Sequence, residues 1–181
     1  MDRSGKGNGL LVFSHCKAVR PGSGPRHIVF HPEGRFVYLV NEISNTVTVF
    51  SYDPATAGMA ELQTVSTLPE GYSQRTHCAE IRIDPSGRFL YASNRGHDSI
   101  AVFDVGADGT LKFKGVEQRG IKNPRNFNIT PDGRFCLVAS QDAGSVEVFR
   151  INADTGLMEE SCGRVSIDKP VCIRFFTGKQ R

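Results

Sequence analysis

The 181-residue chain has no apolar run approaching the roughly 20 residues that a membrane-spanning helix needs. It has no block of like charge either: 22 Lys and Arg face 19 Asp and Glu, a net charge of +3, which argues against nucleic acid or an anionic membrane as partner. The opening residues, MDRSGKGNG, lack the apolar segment of a secretory signal, so a cytoplasmic location is expected. Cysteines are few and odd in number: Cys16, Cys78, Cys136, Cys162 and Cys172. None forms a C-x-x-C pair, which excludes a disulfide framework and a zinc site and leaves buried, reduced thiols as the expectation. No stretch carries a helical period of useful length.

Three copies of one unit are present instead. HPEGRFVYLVNEISNTVTVF from His31, DPSGRFLYASNRGHDSIAVF from Asp84 and TPDGRFCLVASQDAGSVEVF from Thr130 align without a gap. Their turn glycines are Gly34, Gly87 and Gly133, so the periods are 87 − 34 = 53 and 133 − 87 = 46. Each unit reads as four strand-like runs rich in Val, Ile, Phe and Tyr, the fourth of the third unit, ESCGRVSI, being weak. Pro and Gly in x-P-x-G set a tight turn between the first two strands.

Four antiparallel strands repeated at this spacing are the pattern of a β-propeller blade. A β-sandwich is the rival fold, but it does not need equal units sharing one turn. The expectation is an all-β, partial propeller in one domain over 1–181, with blades near 26–69, 78–119 and 124–168 and flanking strands at 10–19 and 170–176. A ring closes with about four or more blades. The chain is therefore expected to belong to a longer ring or to self-associate through open blade edges.

In such a meander the first strand starts on the face where the second strand ends. Prolines 32, 85 and 131 and arginines 35, 88 and 134 repeat with the scaffold and read as structural. Positions at the strand ends do not repeat. Arg26-His27 becomes Ala79-Glu80 and then Arg125-Asn126, and Glu42 becomes Arg95 and then Gln141. A scaffold that keeps its frame while varying polar groups at one face is building an asymmetric site. Its expected mouth holds Arg26, His27, Glu42, Glu80, Arg95 and Arg125, with Asn41, Asn94, Asn126 and Gln141 near. Three guanidiniums favour an anionic ligand, and a histidine among carboxylates can transfer protons. No metal is expected, because the arginines compete for the carboxylates and one histidine is in place. His31 reads as an Asp-like turn residue, His77 and His97 as exposed loop residues, His15 as part of a preceding strand, and Cys78 as no nucleophile.

GSGPRHIVFHPEGRFVYLVNE, AEIRIDPSGRFLYASNRGHDSIAVF, NPRNFNITPDGRF and KPVCIRFF closely resemble the seven-bladed β-propeller lactonases, from about Leu11 to Phe176. That family includes cycloisomerase-type 6-phosphogluconolactonases and carboxymuconate lactonising enzymes. The resemblance implies a cofactor-free hydrolase that opens a small anionic sugar lactone, 6-phosphoglucono-1,5-lactone, in the pentose phosphate pathway. It also implies that Arg26, His27, Glu42, Arg95 and Arg125 line the channel. Glu42, His27 and Arg95 are the expected catalytic groups; Arg26, Arg125, Glu80, Asn94 and Gln141 are expected at the substrate. Glu42 or His27 would activate water and an arginine would steady the oxyanion. Lactonising cycloisomerase activity and a non-catalytic, protein-binding propeller fragment are the alternatives. The match is to the C-terminal half of the family, so half of its active site would be missing.

Overall fold

The computed structural model describes residues 16–176. They form twelve strands and no helix. The first sheet holds β1 (Pro25–Phe30), β2 (Phe36–Asn41), β3 (Thr46–Asp53) and β4 (Gly58–Ser66). The second holds β5 (His77–Ile83), β6 (Phe89–Arg95), β7 (Ser99–Val105) and β8 (Leu111–Glu117). The third holds β9 (Pro124–Ile129), β10 (Phe135–Ser140), β11 (Ser145–Ile151) and β12 (Met158–Ser166). Each is an antiparallel meander in sequence order, a propeller blade.

The repeated turn works as its residues dictate. Gly34, Gly87 and Gly133 donate their amides to the carbonyls of His31, Asp84 and Thr130, three residues back, at 2.8–3.0 Å. All three glycines sit at φ between 71° and 77°, where a Cβ is disfavoured. His31 accepts the Glu33 amide on Nδ1 at 3.2 Å, as Asp84 accepts that of Ser86 at 3.1 Å. It is therefore the acidic turn residue's stand-in. Arg35, Arg88 and Arg134 each lie over the next phenylalanine ring, 4.9–5.7 Å from its centroid, which accounts for their recurrence.

Two apolar seams join the three blades. Tyr38, Val40, Val47, Ile81, Leu90 and Phe103 fill the first, and Tyr91, Ile100, Phe127, Val138 and Phe149 the second. Burying side chains of this size contributes about 1.5–3 kcal/mol each. Every seam is keyed by one tyrosine. Tyr38 donates to the Gly109 carbonyl at 3.1 Å and Tyr91 to that of Gly156 at 2.7 Å, each reaching a turn of the following blade. Leu137 replaces the tyrosine in the third blade, and there Phe135 and Leu137 are half-buried.

Three expectations change. Residues 170–176 are not a strand, and neither are the described residues 16–19 of the first flanking segment; residues 10–15 lie outside the described residues. A strand needs a backbone partner. The 170–176 segment is instead tied through side chains: the Ile173 amide donates to Asn126 Oδ1 at 2.8 Å, and Asn128 Nδ2 donates to the Ile173 carbonyl at 3.1 Å. Only Cys78 and Cys136 are buried thiols, whereas Cys16, Cys162 and Cys172 are exposed and all five are unpaired. His77 opens β5 and His97 follows β6; both are half-buried, His97 against the Tyr72 ring at 4.4 Å and bonded to Ser99 Oγ at 2.7 Å. His15 lies outside the described residues.

Candidate active site at the first blade boundary

All three inner strands carry a bulge at the same repeat position. The ladder slips at Arg26 in β1, at Ala79-Glu80 in β5 and at Arg125 in β9. The Ser93 hydroxyl accepts the Glu80 amide at 2.9 Å and so satisfies the slipped backbone of β5. A bulge turns neighbouring side chains away from strict alternation. Arg26 and His27, adjacent in sequence, consequently line one open cleft of about 300 Å³ together with Ile28, Glu80, Arg82 and Arg174.

Glu42, just past the end of β2, is held between two arginines. Oε2 accepts from Arg26 Nη1 at 3.3 Å and Oε1 accepts from Arg95 Nη2. Each arginine is also tethered to backbone: Arg26 Nε donates to the Ala79 carbonyl at 2.9 Å, and Arg95 Nη2 to that of Cys78 at 3.1 Å. Burial pushes the Glu42 carboxyl up, but the Arg95 hydrogen bond and the charges of both arginines outweigh it and hold the pKa below the ordinary carboxylate value. The carboxylate keeps about a third of its surface exposed.

A second relationship crosses the same boundary. His27 Nδ1 lies 3.2 Å from Glu80 Oε1. Glu80 is 4% exposed and also accepts from the Ile81 amide at 3.0 Å, Arg82 Nη1 at 2.8 Å and Asn126 Nδ2. Three of these donors, His27, Ile81 and Arg82, converge on Oε1, and Asn126 alone is on Oε2. A carboxylate only accepts, so in the neutral imidazole this contact assigns the His27 proton to Nδ1 and makes Nε2 the acceptor. Residues 27, 80 and 126 are one position in three blades, since 27 + 53 = 80 and 80 + 46 = 126. They form a continuous hydrogen-bonded belt, extended by the Ile173 amide.

Five of the eight residues singled out in the sequence take part in this arrangement. Arg26, His27, Glu42, Glu80 and Arg95 meet at the boundary. Arg125 is exposed at the bulge of β9. Gln141 is half-buried just past β10, its amide bonded to the Asn123 carbonyl at 3.3 Å. Asn94 departs from its expected place. It is fully buried, with Nδ2 donating to the Thr67 carbonyl and Ser99 Oγ at 3.0 and 3.1 Å and Oδ1 accepting from Thr67 Oγ1 at 2.7 Å. Strand alternation sends it to the interior while its neighbour Arg95 faces the site. Glu80, expected at the substrate, is buried beside His27, with one donor on Oε2 and the other three on Oε1. Cys78 is buried beneath the site, and burial pushes its thiol up to about 12 against the opposing Thr67 hydrogen bond, which leaves it unreactive.

Arg82 and Arg174 went unremarked in the sequence. Both occupy one repeat offset, 174 − 128 = 46 and 128 − 82 = 46, with Asn128 between them. That offset was the available signal. Among the described residues no cluster of His, Cys, Asp and Glu could hold a metal ion, and no helix is long and apolar enough to cross a membrane.

Comparison with known proteins gives this geometry its context. A family model described as "Lactonase, 7-bladed beta-propeller" matches residues 4–175. The chain is 36% identical over 171 residues to a 6-phosphogluconolactonase of Bacillus subtilis, covering 93% of this chain and 48% of that one. It is 40% identical over 108 residues to a 6-phosphogluconolactonase of Pectobacterium carotovorum, covering 60% and 32%. Among solved structures it resembles a periplasmic gluconolactonase of Pseudomonas aeruginosa, with TM-score 0.81, 34% identity and coverage of 86% of this chain and 43% of that one. The chain thus spans about half the length, or less, of the curated relatives it matches.

Proposed function

Because the chain belongs to the seven-bladed β-propeller lactonase family, we propose that the protein hydrolyses an anionic sugar lactone, 6-phosphoglucono-1,5-lactone, with water and without a metal or organic cofactor, in the cytoplasm. The observation that carries the reading is the pairing of two tethered arginines around Glu42 beside a histidine whose Nδ1 is held by a buried carboxylate.

In this reading His27 is the general base. Its Nε2 removes a proton from water as the water oxygen attacks the lactone carbonyl. Arg26 lines the cleft with Nε and Nη1 already engaged, and its remaining Nη2 faces the developing oxyanion. The tetrahedral intermediate collapses, the ring C–O bond breaks, and His27 returns its proton to the departing ring oxygen. Glu42 is a weak base because both arginines favour its charged form. Its part is to fix Arg26 and, through Arg95, the end of the second blade. Glu80 holds the imidazole in the reactive tautomer. The same reading assigns Arg125 and Gln141 to the rest of the sugar.

The test is the rate of opening of 6-phosphoglucono-1,5-lactone, corrected for spontaneous hydrolysis. His27→Gln is expected to lower kcat by roughly 10²–10⁴-fold, the usual contribution of a positioned base. A parent rate equal to the uncatalysed one, or a His27→Gln rate equal to the parent's, removes this assignment.

A further inference from the structure

The cleft beside His27 is rich in positive charge. Its lining includes three arginines, Arg26, Arg82 and Arg174, and a single carboxylate, Glu80. Arg82 pairs with Glu80, and Arg26 with Glu42, whereas Arg174 pairs with no carboxylate among the described residues. The lining is therefore two charges positive, 3 − 1 = 2, before His27 is counted. Arg82 uses one nitrogen, Nη1, for both Glu80 and the Ile81 carbonyl, so Nε and Nη2 remain for a ligand.

Arg174 reaches this cleft for a specific reason. Its segment is not part of a sheet, and it is fixed by two bonds to the residue before it: Ile173 N to Asn126 Oδ1 and Asn128 Nδ2 to Ile173 O. The other end of the Asn126 amide donates to Glu80. One side chain thus ties the segment bearing Arg174 to the carboxylate that orients His27 and binds Arg82.

We propose that Arg82 and Arg174 form a subsite for the phosphate dianion of a phosphorylated sugar acid or its lactone, and that Asn126 sets the distance between that subsite and His27. Guanidiniums suit this ligand because their planar forks match phosphate oxygens in pairs. The cleft then selects phosphorylated over unphosphorylated substrates, and Arg174 is its specificity residue. The inference rests on the hydrolase reading, whose substrate carries the phosphate, and adds which residues hold it.

Calorimetric titration of the unmodified chain with 6-phosphogluconate and with gluconate tests it without turnover. The expected result is at least about 10-fold tighter binding of the phosphorylated acid, the worth of about 1.4 kcal/mol. In Arg174→Gln that preference should fall by roughly 10-fold, with gluconate affinity unchanged and Arg174→Lys intermediate. Arg174 is exposed, so its replacement does not disturb the core. Inorganic phosphate should compete with 6-phosphogluconate and not with gluconate. Equal affinity for the two acids, binding of neither, or a preference untouched by Arg174→Gln overturns the subsite. A phosphate preference that depends on Arg174 in a chain showing no lactone turnover would uphold the subsite and count against the hydrolase reading alone.

Discussion

His27 of the first blade and Glu80 of the second meet across the blade boundary, Nδ1 to Oε1 at 3.2 Å, one full repeat of 53 residues apart. Arg26 with the Ala79 carbonyl and Glu42 with Arg95 span the same boundary at the same separation. The site is thus built by the repeat itself, with one blade supplying the imidazole and the next its orienting carboxylate.

Replacing Glu80 by Gln removes the charge that holds the imidazole but keeps the side chain's shape. We expect kcat for lactone opening to fall by roughly 10- to 100-fold, a part of the full worth of the base, while KM stays within about twofold. A rise in KM at constant kcat would instead place Glu80 against the substrate.

The pH response of Glu42 follows from its lowered pKa. A group whose folded pKa is depressed stabilises the fold fully above its unfolded value, about 4.3 for glutamate, and loses that contribution as pH falls through the folded value. Thermal melting of the parent and Glu42→Gln from pH 7 to pH 3 should show the parent's advantage constant at neutral pH and vanishing at the acid end. A gap that does not change with pH contradicts the pairing with Arg26 and Arg95.

Asn94 separates scaffold from site. Asn94→Ala strands buried donors and acceptors at Thr67 and Ser99. It should lower stability by about 1–3 kcal/mol and leave KM of the folded protein unchanged. Urea denaturation alongside steady-state kinetics distinguishes the two effects.

Two glycines with similar backbone angles should respond differently. Gly34 and Gly109 sit at φ 71° and 81°. A Cβ at Gly34 meets nothing within 4 Å, whereas one at Gly109 collides with the Phe36 ring that packs on it across the blade seam. Gly34→Ala should cost about 1–2 kcal/mol of left-handed strain. Gly109→Ala should add a further 1–3 kcal/mol, roughly, from overpacking. Equal losses in urea melts would mean that the seam yields to the extra carbon.

The blades were legible in the sequence because the turn, its proline and glycine, and the Arg-Phe pair after it recur at fixed offsets. Local chemistry determines each of these. The face shared by Arg26, His27 and Glu42 followed from strand direction alone. The bulges did not, since a one-residue slip at Arg26, Ala79 and Arg125 depends on pairing across strands. Without the bulges, Arg26 and His27 would be expected on opposite faces. Asn94 was misplaced for a related reason: closeness to Arg95 in sequence outweighed alternation, although Asn41 and Asn94 both point inward. Residues 170–176 read as a strand because their composition suits one, but composition supplies no partner. Arg82 and Arg174 were missed because arginines on the scaffold and in the cleft look alike until the C-terminal segment is seen tied to Asn126.

The arrangement is tested most directly by nitrogen-15 NMR of the imidazole of His27 in the neutral form. The cross-blade pair predicts a protonated Nδ1 and an unprotonated Nε2, with that preference lost in Glu80→Gln. A proton on Nε2 in the parent, or a tautomer indifferent to Glu80→Gln, would contradict the claim that the second blade orients the base of the first.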